Sequence, residues 1–273
     1  MSPILNYYNL APSVTAFSTT RQGGVSQGNY ASLNINAYCG DEPEAIMENR
    51  RLLCRHLGLE DISRLIMPHQ VHGTEVLQVT PGFLSLPESE RLMRLEGVDA
   101  LMTDVRGVCI GVSTADCIPV IIYDPEHHCA ATVHAGWRGT VAGIVRKTLA
   151  RMAEVCHCRP AKMLAVIGPG ISLKNFEVGE EVYEQFIGQA AHDERVACRL
   201  PASGLRTDGE QLTWHIDLPL CNRLQLQSMG VPDGNILDCG ICTYSHHDRF
   251  FSARRLGVCS GRIFTGIILH EKE

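Results

Sequence analysis

Apolar and polar positions along the chain fall into short blocks of two kinds. Blocks of the first kind are nearly continuous. Residues 107–113, 118–123 and 129–134 are dominated by Val, Ile and Ala, as in strands covered on both faces. Residues 163–167 form a fourth such block, stopped by Gly168-Pro169-Gly170. Blocks of the second kind repeat at helical spacing. Residues 44–57 set Ile46, Leu53 and Leu57 on one face, and Gly58 is suited to close the helix. Residues 140–155 carry the stripe Val141, Ile144, Val145, Leu149 and Met152, and residues 177–186 pair Val182 with Phe186. Residues 217–229 have Asp217 as N-cap, Pro219 in the first turn and Gly230 past the end. Further strands are predicted after Thr15, leading into a Gly-rich loop, and over 65–67, 75–79, 249–252 and 262–269. Residues 192–211 are the most polar stretch and read as a surface excursion. Strand blocks stand back to back in the middle of the chain, and no repeat or linker interrupts it. This predicts an α+β fold of mixed β-sheets flanked by helices, in one domain over 1–273.

Composition narrows the function classes. With 45% hydrophobic and 20% charged residues the chain is neither disordered nor fibrous. A net charge of −6 and scattered basic residues argue against a nucleic-acid partner. No apolar run reaches the ~18 residues of a membrane helix, and the first residues lack the basic and apolar regions of a signal peptide. The expectation is a cytoplasmic protein with no membrane partner. Its 12 cysteines are too dispersed for a disulfide framework in that setting. Most are expected to be small buried hydrophobes, leaving one or two as ligands or nucleophiles.

Three segments interrupt apolar strand ends with polar groups: His69-Gln70-Val71-His72-Gly73, Ser113-Thr114-Ala115-Asp116-Cys117-Ile118-Pro119 and His134-Ala135-Gly136-Trp137-Arg138-Gly139. One strand separates Cys117 from His134, so both can reach one sheet edge. An imidazole from the His72 turn would complete a Cys/His2 set, the three-ligand arrangement of a catalytic zinc. Such a zinc would hold Cys117 as thiolate and lower the pKa of a bound water. Asp116 adjoins Cys117 and is a candidate proton shuttle. A helix opening after Gly136 would favour negative charge beside His134, and Arg138 suits an anion. Arg21, in the Gly-rich loop, is the other candidate cation; Arg254, Arg255 and Arg262 could form a cationic cluster beside it that binds phosphate or carboxylate, although Arg254 and Arg255 taken alone read as rim or ion-pair residues. Two decoys accompany these segments. Cys239-Gly240-Ile241-Cys242 with His246 and His247 is too tight for a second zinc, and Cys156-His157-Cys158 is an ill-suited chelate at a helix end. There is no His-X-His pair, which counts against a multicopper site.

The three segments, taken with Phe17-Ser18-Thr19-Thr20-Arg21-Gln22-Gly23-Gly24, Asp99-Ala100, Ile167-Gly168-Pro169-Gly170-Ile171 and Arg254-Arg255, run in order through nearly the whole chain. The sequence resembles the YfiH family, also called the laccase-domain or polyphenol oxidase family. The resemblance implies a fold similar to the CNF-type toxin domain. It implies one metal, zinc with copper as the alternative, held by His72, Cys117 and His134, with His69 a neighbour. These three residues are also the candidate catalytic residues, and Arg21 and Arg138 the candidate substrate-binding residues. The implied activity is phosphorolysis of adenosine, inosine and methylthioadenosine to base and pentose 1-phosphate, with deamination of adenosine to inosine. The partners are then purine nucleosides and phosphate, with the oligomeric state open. Two alternatives stand beside it: a metal-free Cys–His hydrolase or amidase acting on cell-wall precursors, with Cys117 as nucleophile and His134 as base, and a copper-dependent polyphenol oxidase.

Overall fold

The apolar blocks in the middle of the chain become strands buried at every position. The computed structural model describes residues 2–188, 194–201 and 212–271. The first strands are β1 (Leu5–Tyr8), β2 (Val14–Thr19), β3 (Leu65–Ile66) and β4 (Glu75–Gln78). Then come β5 (Val98–Thr103), β6 (Cys109–Thr114), β7 (Ile118–Asp124), β8 (Cys129–Ala135) and β9 (Leu164–Ile167). The last are β10 (Glu177–Val178), β11 (Ala197–Pro201), β12 (Leu212–Ile216), β13 (Ile236–Asp238) and β14 (Ile263–Leu269). The helices are α1 (Pro43–Leu57), α2 (Pro81–Leu84), α3 (Glu88–Leu95), α4 (Trp137–Val141) and α5 (Ile144–Cys156), then α6 (Glu180–Ile187), α7 (Leu218–Ser228) and α8 (Ala253–Leu256). None of the described helices is long and apolar enough to cross a membrane.

The strands form a five-stranded sheet ordered β1-β2-β14-β6-β3, a six-stranded sheet ordered β13-β9-β7-β8-β5-β4 and a three-stranded sheet ordered β10-β12-β11. Both larger sheets are mixed, with parallel pairs at β3/β6, β4/β5 and β9/β13 and antiparallel pairs elsewhere. They pack face to face. Ala16, Ile110 and Ile267 of one meet Leu101, Ile121 and Val166 of the other. The outer face of the five-stranded sheet buries Phe17 and Phe264 against Leu53 of α1. The outer face of the six-stranded sheet buries Val120, Val133 and Ile167 against Ile144 and Leu149 of α5 and Leu226 of α7. The result is helix, sheet, sheet, helix, the α+β arrangement of mixed sheets flanked by helices that the sequence predicts.

Strand alternation decides which polar groups turn inward between the sheets. In β8, Val133 and Ala135 face the helices, so His134 shares the inter-sheet face with Ala130. In β5, Ala100 and Met102 face the helices and Leu101 the other sheet, so Asp99 also turns inward. Ala100 pairs with Val133, and Pro119 of β7 lies opposite His134. The site is therefore built at one end of three adjacent strands.

Several expected elements differ in the structure. The helix expected over 140–155 starts earlier, at Trp137, and breaks at Gly143, whose φ of +76° is left-handed. The helix expected from Glu177 starts at Glu180, because Glu177 and Val178 pair with β12 instead. Residues 249–252 are not a strand. Phe250 and Phe251 bury against Ala115 and Ile263 without a ladder. Of the stretch read as a surface excursion, 194–201 carries β11, and the rest of it (192–193 and 202–211) lies outside the described residues. Strands β1, β5, β12 and β13 go unread in the sequence, and β5 matters most because it carries Asp99. The helix ends read from sequence are found: Gly58 is left-handed after α1, and Asp217 accepts a hydrogen bond from the Leu220 N–H. All 12 cysteines are free, six of them buried.

Candidate metal centre

His72, Cys117 and His134 converge, their ligand atoms all lying within 4.8 Å of one another. His134 stands near the end of β8, Cys117 in the turn before β7, and His72 in the loop before β4. The His72 and His134 rings meet edge to face, with centroids 4.8 Å apart. His134 is 3% exposed, Cys117 half-buried and His72 exposed, so the group is closed at its base and open to solvent on the His72 side. Two non-glycine residues take left-handed φ here, His72 at +62° and Asp116 at +84°. Each lies at the tip of a loop that delivers a candidate ligand. Such backbone persists only where the surroundings hold it.

What holds the His72 loop is Asp99, which sequence reasoning did not place in the site. Its buried carboxylate accepts the backbone N–H groups of Val71, His72 and Gly73 at 3.2, 3.0 and 2.7 Å. It also accepts the Nδ1–H of His134 at 2.7 Å. A carboxylate only accepts, so His134 keeps a proton on Nδ1, which leaves Nε2 as the atom that can ligate once its own proton is lost. This carboxylate–histidine relay is the usual support of a metal-bound imidazole. Gln70 adds a second anchor, its amide accepting from Ser113 N–H and donating to Ser113 O, both at 2.8 Å. A signal was present in the sequence. Asp99 is the one charge inside the run Val98-Asp99-Ala100-Leu101-Met102-Thr103, and all six positions are buried.

The electrostatics match the geometry. Burial pushes the Cys117 thiol up, but the neighbouring His134 and His72 imidazoles outweigh it and hold the thiol at about 6. Burial pushes His134 down, and the Cys117 thiolate and Asp99 together raise it to about 9. Without an ion the pair is thus a thiolate and an imidazolium. With one, the positive charge passes from the proton to the metal. Two imidazoles and a thiolate-prone sulfur are borderline-soft donors that suit zinc or copper. Gly136 leaves the room: a Cβ there would lie 2.9 Å from His72 Cδ2, 3.0 Å from Cys117 Sγ and 3.6 Å from His134 Cε1. The residues present therefore fit a single transition-metal ion.

Other expected residues sit elsewhere or do other work. His69 turns away, pairing with Glu96 at 2.7 Å and stacking on Tyr38 at 3.8 Å. Asp116 does not face Cys117 as a proton shuttle. Its two oxygens accept from Thr243 Oγ1 at 2.7 Å and Arg254 N at 2.6 Å, so it clamps two loops. Arg21 donates from Nε to Ala31 O and from Nη1 to His247 O, both at 2.8 Å, and lies over Phe251. Its guanidinium is committed to the backbone, which leaves little of it for phosphate. Arg254 likewise donates to Glu177 O. Arg138 is exposed, stacks on Trp137 at 4.3 Å and makes no ion pair among the described residues. It stands two residues past Gly136, in the first turn of α4. The helix it opens, α4, has only 5 residues, so its dipole adds little and the Arg138 charge dominates. The Cys239/Cys242 decoy does not assemble with His246 and His247 among the described residues. A cavity of about 810 Å³, lined in part by Gly168, Asn175, Asp217 and Cys242, backs onto this centre. A Cβ on Gly170, in its wall, would lie 3.1 Å from Asp116 O and 3.2 Å from Cys117 O.

A family model described as multi-copper polyphenol oxidoreductase laccase matches residues 15–270. A purine nucleoside phosphorylase of Bacteroides thetaiotaomicron is 46% identical over 271 residues, covering 98% of this chain and 97% of that protein. A protein named adenosine deaminase RL5, from an unknown prokaryotic organism, is 39% identical over 267 residues, covering 96% of this chain and 97% of that one. Among solved structures, a hypothetical YfiH protein of Bacillus licheniformis superposes with a TM-score of 0.84 at 26% identity, over 96% of this chain and 98% of that chain.

Proposed function

The chain belongs to the polyphenol oxidoreductase laccase family that includes the YfiH proteins, and from that membership we propose that it is a zinc-dependent purine nucleoside enzyme. The reactions are phosphorolysis of adenosine, inosine and methylthioadenosine to base and pentose 1-phosphate, and deamination of adenosine to inosine. Relatives named for both activities support the reading. The single observation that carries it is the convergence of His72, Cys117 and His134 on a solvent-open side, with Asp99 behind them.

In this reading His72, Cys117 and His134 hold the ion. Bound there, zinc would supply Lewis acidity to a substrate on the solvent-open side. The rest is the work of the chain. Asp99 fixes the tautomer and orientation of His134 and, through three N–H groups, the position of the His72 loop. Arg138 binds the phosphate dianion at the rim through a charge-assisted, bidentate contact. Its stacking on Trp137 keeps the fork pre-oriented. Arg21 braces the Gly-rich loop rather than the substrate.

One observation favours a second reading. Cys117, His134 and Asp99 also stand in line as nucleophile, base and orienting carboxylate, the arrangement of a metal-free thiol hydrolase. The family description raises copper as well, and a Cys/His2 set accepts it. One experiment separates these. Purified protein, its bound metal quantified, is incubated with adenosine with and without phosphate, and the products are resolved. Adenine that appears only with phosphate, from protein carrying about one zinc, supports the phosphorylase. The reading is overturned by metal-free protein that turns over no nucleoside and whose Cys117 is rapidly alkylated, which is the behaviour of the thiol hydrolase.

A further inference from the structure

The β7–β8 hairpin has two ends. One carries Cys117 and His134. The other, ~20 Å away at strand rise, carries Asp124, His127 and Cys129, and packs against the end of α5. There Asp124, His127 and Cys158 place one ligand atom each within 4.8 Å of one another. Asp124 is fully buried; its Oδ2 accepts the Nδ1–H of His127 at 3.0 Å, and its Oδ1 accepts the backbone N–H groups of Glu126 and His127. Cys158 is 3% exposed and Cys129 fully buried. Two features bring these groups together. His157 is left-handed at φ +56°, and Cys158 N–H closes the helix end on Met152 O at 3.3 Å. Asp124 Oδ2 then accepts the Arg159 N–H at 3.1 Å, docking the segment onto the hairpin.

We propose that this cluster is a second metal site, separate from the first, that binds zinc through Asp124, His127 and Cys158. The argument is chemical. Carboxylate, imidazole and thiolate are all donors that zinc takes, with water or another group free to fill a fourth position. Zinc bond lengths of ~2.0–2.3 Å imply ligand spacings of ~3.3–3.8 Å in a tetrahedron. The three ligand atoms, all within 4.8 Å of one another, are close enough for one ion to draw them together. Cysteine 156-X-158 alone is a poor chelate. The tertiary structure supplies what it lacks, from a hairpin some 30 residues earlier. His127, with a side chain 29% exposed, gives the ion a route in. The expected role is structural, clamping the hairpin to α5 and so bracing the strands that carry Cys117 and His134.

The test is zinc itself, counted on reduced, intact protein by native mass spectrometry, with the thermal midpoint followed in parallel. The wild type, His127→Ala, Cys158→Ser and Cys117→Ser are compared. His127→Ala is the decisive variant because its side chain reaches the surface and its loss leaves the core intact. The expected result is one zinc fewer in His127→Ala and in Cys158→Ser than in the wild type, with the zinc-dependent rise in midpoint reduced. Cys117→Ser is expected to keep a zinc that Cys117→Ser/His127→Ala lacks. Cobalt in the Cys117→Ser protein should give a thiolate charge-transfer absorption that Cys158→Ser removes. Equal zinc content in His127→Ala and wild type, or no cobalt–thiolate band in Cys117→Ser, overturns the proposal. The outcome does not depend on nucleoside turnover.

Discussion

Asp99 receives four hydrogen bonds from two parts of the chain, three from the His72 loop and one from His134. Its replacement therefore tests positioning more than bulk. Asp99→Asn keeps the shape but loses the charge and an acceptor. Metal affinity should fall by ~10–100-fold, read by competition with a chromophoric chelator, while the fold remains. Gly136 tests space. Gly136→Ala drives a methyl against His72 and Cys117 and is expected to cost bound metal and activity, at ~1–3 kcal/mol of stability. Metal analysis and urea unfolding check it. The two candidate cations separate cleanly. Arg138→Ala should raise the phosphate KM and change stability by less than ~0.5 kcal/mol, because the side chain is exposed. Arg21→Ala should do the reverse, destabilising by ~1–3 kcal/mol through two orphaned carbonyls. A phosphate KM unchanged in Arg138→Ala would make that residue structural.

At the scale of elements, α4 and α5 show how a continuous apolar stripe hides a break. The stripe from Val141 to Met152 is real, and Ile144, Val145, Leu149 and Met152 are fully buried. The chain nevertheless turns at Gly143, so the short helix α4 that carries Arg138 is separate from α5. Gly143→Ala should cost about 1 kcal/mol or more, since its φ of +76° strains any side chain. A urea midpoint equal to wild type would contradict this. Strand β5 shows the opposite case. Its run is apolar on either side of Asp99, yet that one carboxylate masks it as a strand when local pattern is the only guide. Burial of Asp99 is tolerable only because His134 and three N–H groups reach it from elsewhere.

At the scale of the whole molecule, two mixed sheets face each other, and the candidate centre sits at one end of the inner strands β5, β8 and β7. A metal that binds only the folded chain stabilises it by mass action, by ~2.7 kcal/mol at 100 times the Kd. Chelation should then lower the unfolding midpoint, and in a His127→Ala background this response should vanish when Cys117 is also replaced by Ser. Differential scanning fluorimetry with and without chelator reads both. Local pattern in the sequence determined much of this protein. Fully apolar runs became strands buried on both faces, Gly58 and Asp217 marked helix ends, and the polar interruptions at His72, Cys117 and His134 named the candidate ligands. Each of those signals lives within a few residues, where period, capping and φ preference act. Only the tertiary structure decided the rest. It joined Asp99 to His134 across strands, took Asp116 and Arg21 out of the candidate chemistry by giving their polar atoms other partners, and assembled Asp124, His127 and Cys158 from a hairpin and a distant helix end. Those outcomes depend on which groups meet after folding, and a buried polar atom is committed by whatever partner it finds there.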